Sequence, residues 1–318
     1  MTRVAAPVRR PARSTRSRQD ARAGAALVAP TVLVVAAVVV LPFLAVVVLA
    51  FQDIKLAQLP HLTLADLELD PENVVGLFTS AGFWTALRTT VVLSVATAVQ
   101  SVAAGVAMAL ALRRPFPGRA VVRALVLVPY VLPVVASMQT WRTLLNTQYG
   151  WVNAVGTSLL GWDEPVAFLT TPDTTVLGVT VPVALVSVIV VMVWHTFPLA
   201  YLFAAARLHA VSGDLEEAAA LDGAGPWQRI RHVVLPELAG VVSILLLLRF
   251  IWTFQTFNEV YLLTGGAAGT EVLAVRVYNE LVTRSDIGAA SGVGVAITAI
   301  LAVFIALYLV LQRRRETE

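Results

Sequence analysis

Hydrophobic positions in this chain are bunched into long runs rather than spread periodically. Six runs, at 23–51, 83–112, 124–145, 177–206, 238–263 and 289–312, are almost free of charge and are separated by polar clusters. A helix needs roughly 20 apolar residues to cross about 30 Å of hydrocarbon, and each run reaches that length. A helix that is apolar on every side belongs inside hydrocarbon or a large core. The pattern therefore predicts an all-α integral membrane protein with six transmembrane helices. The first and fourth runs exceed the minimum, which implies tilt or an interfacial start.

The polar clusters are not alike. Arg3, Arg9, Arg10, Arg13, Arg16, Arg18 and Arg22 precede the first run, Arg113, Arg114, Arg119 and Arg123 follow the second, Arg207, Arg229 and Arg231 follow the fourth, and Arg313, Arg314 and Arg315 end the chain. With six spans these clusters share one side, while the other side holds only Lys55, Arg276 and Arg284. Basic residues mark the cytoplasmic side, so both termini are expected in the cytoplasm. Acidic residues, among them Asp53, Asp66, Glu68, Asp70, Glu72, Asp163, Glu164 and Asp173, collect on the opposite side.

The runs divide the chain into a basic cytoplasmic tail (1–22), a six-span domain (23–312) and a short cytoplasmic tail (313–318). The Arg- and Pro-rich leader lacks apolar periodicity and is expected to be disordered. It sets topology, or touches anionic membrane lipid. The first run is too long for a signal-peptide core and lacks a small-residue cleavage site, so it is expected to be a retained span. Composition agrees with the runs: the chain is 58% hydrophobic and 14% charged, against about 25% charged in soluble domains.

The connection at 207–237 carries the most distinctive residues. Its core, DLEEAAALDGAGPWQRIRHVVLP, spans 214–236. Asp214 is placed to cap a short helix and Glu217, three residues on, to complete a capping box. Glu216 and Glu217 suit the positive end of that helix. Gly223 stands where the chain must leave it in left-handed geometry, and Pro226 is suited to the first turn of a second helix. Two short helices presenting small alanines make a docking surface.

These residues resemble a known family. Glu217-Ala218-Ala219, Asp222-Gly223-Ala224, Trp227, Ile230 and Leu235-Pro236 look like the EAA loop in membrane-spanning subunits of binding-protein-dependent ABC importers. The resemblance extends over most of the chain and is closest to the carbohydrate-type, maltose-type permeases. It rests on Pro30, Pro42, Pro129, Pro133, Trp141, Asn146, Gly150, Asn153, Trp194 and Pro198, then on Leu263-Thr264-Gly265-Gly266, Thr270-Glu271, Tyr278 and Gly288-Ala289-Ala290. The chain departs from the pattern at Ala267-Ala268, where a third glycine and a proline are usual, and at Leu281, where an aromatic is usual. The resemblance implies the type I ABC importer permease fold and a coupling helix in this loop that inserts into an ATPase subunit. It also implies a second permease subunit, two ABC ATPase subunits and an extracytoplasmic solute-binding protein as partners, in a bacterial-type cell membrane.

The remaining chemistry is sparse. There are no cysteines, which excludes disulfides and thiolate ligands. His61, His195, His209 and His232 are scattered without metal-ligand spacing, so no metal site is expected. A phosphate-binding loop needs GxxxxGK[ST], and the single lysine, Lys55, follows Asp53-Ile54. The chain is therefore expected to bind no cofactor and to be no enzyme, with ATP and Mg held and hydrolysed by the partner ATPase. No nucleic-acid partner is expected.

A solute pathway needs polar groups at membrane depth. Arg249 lies near the middle of the fifth run, where an ionisable residue is a functional-site candidate. Around it Trp252, Gln255, Thr256, Asn258 and Glu259 mix an aromatic face with hydrogen-bonding groups, a lining that suits a sugar. Helical spacing would put Trp252, Thr256 and Glu259 on one face with Gln255 adjacent. Two readings of Arg249 stay open: it contacts solute, or it pairs with a carboxylate or carbonyl at a subunit interface. Arg88 and Arg142 lie near span ends and can snorkel.

Glycerol phosphate, polyamine or another organic solute remains an alternative cargo. A secondary carrier would need intramembrane carboxylates or an inverted repeat, and only Glu259 is available. A membrane-embedded enzyme would need a catalytic constellation that the chain does not show.

Overall fold

The computed structural model describes residues 15–61, 70–176, 179–210 and 213–316. Within these, five helices are long and apolar enough to cross a membrane, and a bent pair supplies a sixth span. Asp66 and Glu68, the leader arginines Arg3, Arg9, Arg10 and Arg13, and the expected start of the fourth span at Leu177 lie outside the described residues.

The first span joins α1 (Thr15–Val35) and α2 (Leu41–Leu49) through a π-helical turn, Ala36–Val40. Helix α1 begins at Thr15, inside the segment expected to lack structure. The π turn has a local cause. Pro42 has no N–H and its ring crowds the carbonyl four residues back, and a widened turn relieves the crowding. A second π turn, Ile230–Val234, likewise precedes a Leu-Pro pair, Leu235-Pro236.

After α3 (Glu72–Thr79), the centre of the bundle is α4 (Ala81–Ala111) packed along α8 (Val183–Ala210), with α11 (Leu235–Phe254) against α4. Small residues permit the close approach. A Cβ built on Gly105 would stand 2.5 Å from both the Ala200 Cβ and the Tyr201 nitrogen, so only glycine fits there. Thr90, Ser94, Thr97 and Ser101 form a buried stripe on α4. Thr90 and Ser94 return their hydroxyls to carbonyls of their own helix, at 2.7 and 2.6 Å, which lets small polar residues line a helix interface in hydrocarbon.

The third run does not form one helix. Helices α5 (Arg119–Val131) and α6 (Val134–Leu144) meet at 98° across Leu132-Pro133. Leu132 is extended, with ψ 139°, as the residue before a proline prefers. Helix α7 (Trp151–Leu159) follows. Asn153 then pins the next loop: its Nδ2 donates to the carbonyls of Asn146 and Val166 at 3.2 and 2.9 Å, and its Oδ1 accepts from the Val166 N–H at 2.8 Å.

The fourth span starts later than expected, at Val183, because an antiparallel hairpin of β1 (Thr174–Val176) and β2 (Val179–Val181) uses the preceding β-branched residues. Beyond α8 come α9 (Gly213–Leu221) and α10 (Pro226–Arg229), then α11, α12 (Asn258–Thr264), α13 (Leu273–Tyr278) and α14 (Ile287–Glu316).

The fifth span differs from its expected bounds at both ends. Helix α10, the second π turn and α11 form one continuous apolar helix, Pro226–Phe254. The second helix of the charged loop is thus the first turn of the span itself. The span then stops at Phe254, with the Thr256 N–H donating to the Thr253 carbonyl at 3.0 Å in a tightened last turn. The sequence there, Trp-Thr-Phe-Gln-Thr-Phe, is rich in β-branched and aromatic residues of low helix propensity.

Candidate functional site

The charged loop is built by its turn residues. At the end of α9 the Ala224 N–H donates to the Ala219 carbonyl at 2.9 Å, and the Gly223 N–H to the Ala220 carbonyl at 3.1 Å. This paired pattern is a Schellman motif, which requires a left-handed residue at Gly223, and Gly223 has φ +82°. Pro226 takes the first position of α10, as expected, and the Gly225 N–H is satisfied by the Gln228 Oε1 at 2.7 Å. Asp214 does not stand before α9 as its cap but lies within its first turn.

The loop presents an apolar, solvent-facing surface. Leu221 is 90% exposed and Trp227 69%. Between α9 and α10 lies a shallow cleft of about 380 Å³ lined by Ala219, Asp222, Gly223, Ala224, Gln228, Arg229, His232 and Val233. Glu217 and Ala218 are exposed on α9, Ile230 is half-buried in the π turn, and Leu235 and Pro236 are exposed at the start of α11.

Two ion pairs that the sequence did not announce tie this surface to the bundle. Arg113, beyond the end of α4, binds the Glu216 carboxylate of α9 at 2.8 Å. Arg207, in the last turn of α8, reaches Glu237 of α11 twice, carboxylate at 2.7 Å and carbonyl at 3.1 Å, closing the base of the loop. Partners 103 residues apart leave no local signal. The flanking position of Arg207 and Glu237 was the one readable hint.

At membrane depth, Arg249 is only 6% exposed and makes no ion pair among the described residues. Its Nε has no hydrogen-bond partner, and its Cζ stands 6.0 Å from the centre of the Trp252 ring. Glu259 lies within electrostatic range of both Arg249 and His195. The expected common face of Trp252, Thr256 and Glu259 does not exist, because the helix ends between the first residue and the other two. Thr256 is buried and donates to the Glu259 carboxylate, whereas Trp252, Gln255 and Asn258 are exposed on the chain's surface. The break splits the candidates into buried Arg249 and Thr256 with a half-buried Glu259, and an exposed set.

At the opposite end of the bundle, a cavity of about 740 Å³ lies between α6, α12 and the residues after α13, with Arg142, Asn146, Tyr261, Tyr278 and Asn279 in its wall. The rings of Phe257, Tyr261 and Tyr278 cluster beside it, with centres 4.8 to 5.3 Å apart. Arg276 is buried between Glu280 at 3.3 Å and Glu271 at 3.8 Å. Lys55 pairs with Asp286 and, at 3.4 Å, with Asp53. The Asp286 hydrogen bond, with a smaller contribution from Asp53, holds the Lys55 ammonium above its ordinary pKa.

Residues 101–317 match the family model described as "Binding-protein-dependent transport system inner membrane component". The chain is 30% identical over 290 residues to the inner membrane ABC transporter permease protein YcjO of Escherichia coli, covering 91% of this chain and 92% of that one. It is 29% identical over 303 residues to the trehalose/maltose transport system permease protein MalF of Thermococcus litoralis, covering 93% and 96%. Its backbone is similar to the crystal structure of a bacterial ABC transporter involved in import of the acidic polysaccharide alginate. The TM-score is 0.77 at 20% identity, over 93% of this chain and 96% of that one. The same similarity holds for that transporter in complex with an alginate pentasaccharide-bound periplasmic protein, over 95% and 98%. Six apolar spans, a loop built as described before the fifth of them, and a family match over more than half the chain agree: the protein belongs to the binding-protein-dependent ABC transporter permeases, multi-pass components of the inner membrane.

Proposed function

We propose that this chain forms the translocation pathway of an ATP-driven importer for a sugar or related solute handed over by an extracytoplasmic binding protein. The observation that carries the proposal is mechanical. The Trp227 side of the docking surface and the membrane-buried Arg249 lie on one unbroken helix, Pro226–Phe254. Helix α9, carrying Glu217, Ala218 and Ala219, joins it through the turn at Gly223. At 1.5 Å per residue, Trp227 and Arg249 are about 33 Å apart along it.

In this reading the loop faces the cytoplasm, with both termini, as the arginine bias requires. Two ABC ATPase subunits bind and hydrolyse ATP with Mg, a second permease completes the pore, and this chain holds no nucleotide. Closure of the ATPase pair pushes on Glu217, Ala218, Ala219 and Trp227. The continuous helix passes that displacement to Arg249 as a rigid-body rotation, switching access to the pathway between the two sides. Carbohydrate as cargo follows from the trehalose/maltose system named for the relative in Thermococcus litoralis. Aromatic and amide groups at Trp252, Gln255 and Asn258, exposed on this chain, would complete a wall against the second permease.

One observation favours a narrower cargo. A buried guanidinium without an ion-pair partner is costly unless an anion joins it for part of the cycle, so a phosphorylated or acidic sugar fits Arg249 better than a neutral one.

The coupling assignment is tested in the reconstituted complex. Gly223→Pro cannot adopt φ +82° and removes the Gly223 N–H, while Glu217→Lys reverses the charge of the docking face. Both variants should insert normally and lose binding-protein-stimulated ATP hydrolysis. Wild-type stimulation in either would overturn the assignment.

A further inference from the structure

The arginines after α4 do more than set topology. A cavity of about 290 Å³ opens at the loop end of the bundle, lined by Ala109, Arg113, Arg114, Pro115, Arg123, Ala205, Leu208, His209 and Glu216. Three guanidiniums and an imidazole face one carboxylate, and that carboxylate is already taken by Arg113 at 2.8 Å. The neighbouring Arg119 is satisfied elsewhere, donating to the carbonyls of Leu112 and Arg113 at 2.7 and 2.9 Å.

Arg114 and Arg123 are not so provided. Arg114 makes no ion pair among the described residues, and Arg123 has a single long bond, 3.3 Å, to the Leu112 carbonyl. The Arg123 Nε is shut off from solvent and has no partner. Like charges gathered in one concave site repel one another, and an unsatisfied guanidinium N–H out of water loses a full hydrogen bond. The missing component is an anion with several acceptor oxygens, and the planar fork of arginine matches phosphate.

We propose that this cavity is a binding site for a phosphate-bearing group, supplied by an anionic phospholipid headgroup. The cavity lies where the ends of α4, α5 and α8 meet the loop, the level at which headgroups sit beside helix ends, and basic pockets between spans suit such groups. Its apolar wall of Ala109, Ala205 and Leu208 would take the glycerol and first methylenes. Because Arg113 lines the cavity and also holds Glu216 of α9, the bound anion competes with the brace on the charged loop. Lipid composition would then tune how firmly α9 is held.

The test uses the complete transporter in nanodiscs of phosphatidylcholine with or without phosphatidylglycerol, with bound lipid counted by native mass spectrometry. Wild-type should keep phosphatidylglycerol after detergent release. The R114Q/R123Q variant should lose it by on the order of tenfold or more, and R114Q, which breaks no internal bond, should lose part of it. Displacement of the lipid by millimolar inorganic phosphate would keep the site but assign it to a soluble anion. Equal retention by wild-type and both variants, with no effect of phosphate, would overturn the proposal. Mass counting does not depend on transport, so that outcome would leave the importer assignment standing.

Discussion

Ala268 occupies the left-handed region, φ +53°, in the turn that follows Gly265 and Gly266. A Cβ there costs about 1–2 kcal/mol, and glycine gives back part of the gain through the entropy of the unfolded chain. Ala268→Gly should therefore raise stability by about 0.5–1 kcal/mol, read as an upward shift of the thermal transition in detergent. No shift, or a downward one, would show that the turn relaxes around Ala268. At Gly105 the sign reverses: Gly105→Val must force α4 from α8, since even a methyl would stand 2.5 Å from Ala200. A loss of about 2 kcal/mol or more is expected, and wild-type melting would contradict the contact.

At this scale the sequence was partly legible. The left-handed geometry of Gly223 followed from local chemistry alone, because a helix end between Leu221 and Pro226 leaves few alternatives. The face shared by Trp252, Thr256 and Glu259 did not survive, because the spacing rule assumes an unbroken helix and the break at Phe254 has no glycine or proline to announce it. The unsatisfied Nε of Arg123 was invisible, since it depends on neighbours from three separate helices.

At the scale of elements, a proline marks three of the places where a span departs from a straight rod. Pro133 breaks the third run through 98°, and Pro42 and Pro236 each follow a π turn. The runs gave the number of spans because hydrophobic length is local, but not these bends, which trade backbone bonds against packing. The braces at Arg113–Glu216 and Arg207–Glu237 are partly exposed, so each contributes no more than about 1 kcal/mol to stability. Their expected effect is on coupling. Arg113→Glu and Glu216→Arg should each lower stimulated ATP hydrolysis while leaving the melting temperature nearly unchanged, and the exchanged pair should recover most of the loss. Additive loss in the double variant would show that the two residues act separately.

The whole molecule exposes more apolar surface than a free subunit could hold in water. In the most apolar stretch of its first span, Ala23–Leu49, no residue is buried within the chain, and in that of the last span only 17% are. Hydrocarbon and, in the proposed complex, a second permease would cover those faces. Orientation can be read directly because the chain has no native cysteine. A membrane-impermeant maleimide should label Leu221→Cys only in inside-out vesicles and Ala57→Cys only in intact spheroplasts, and the reverse pattern would invert the topology.

The central claim is that this chain is one membrane subunit of an ATP-driven importer, and co-purification tests it most directly. The tagged chain, extracted from its own membrane in mild detergent and identified with its companions by mass spectrometry, should bring with it an ABC ATPase and a second permease, and the binding protein when solute is present. A stable homo-oligomer without any ATPase would contradict the claim and direct attention to a secondary carrier or a channel.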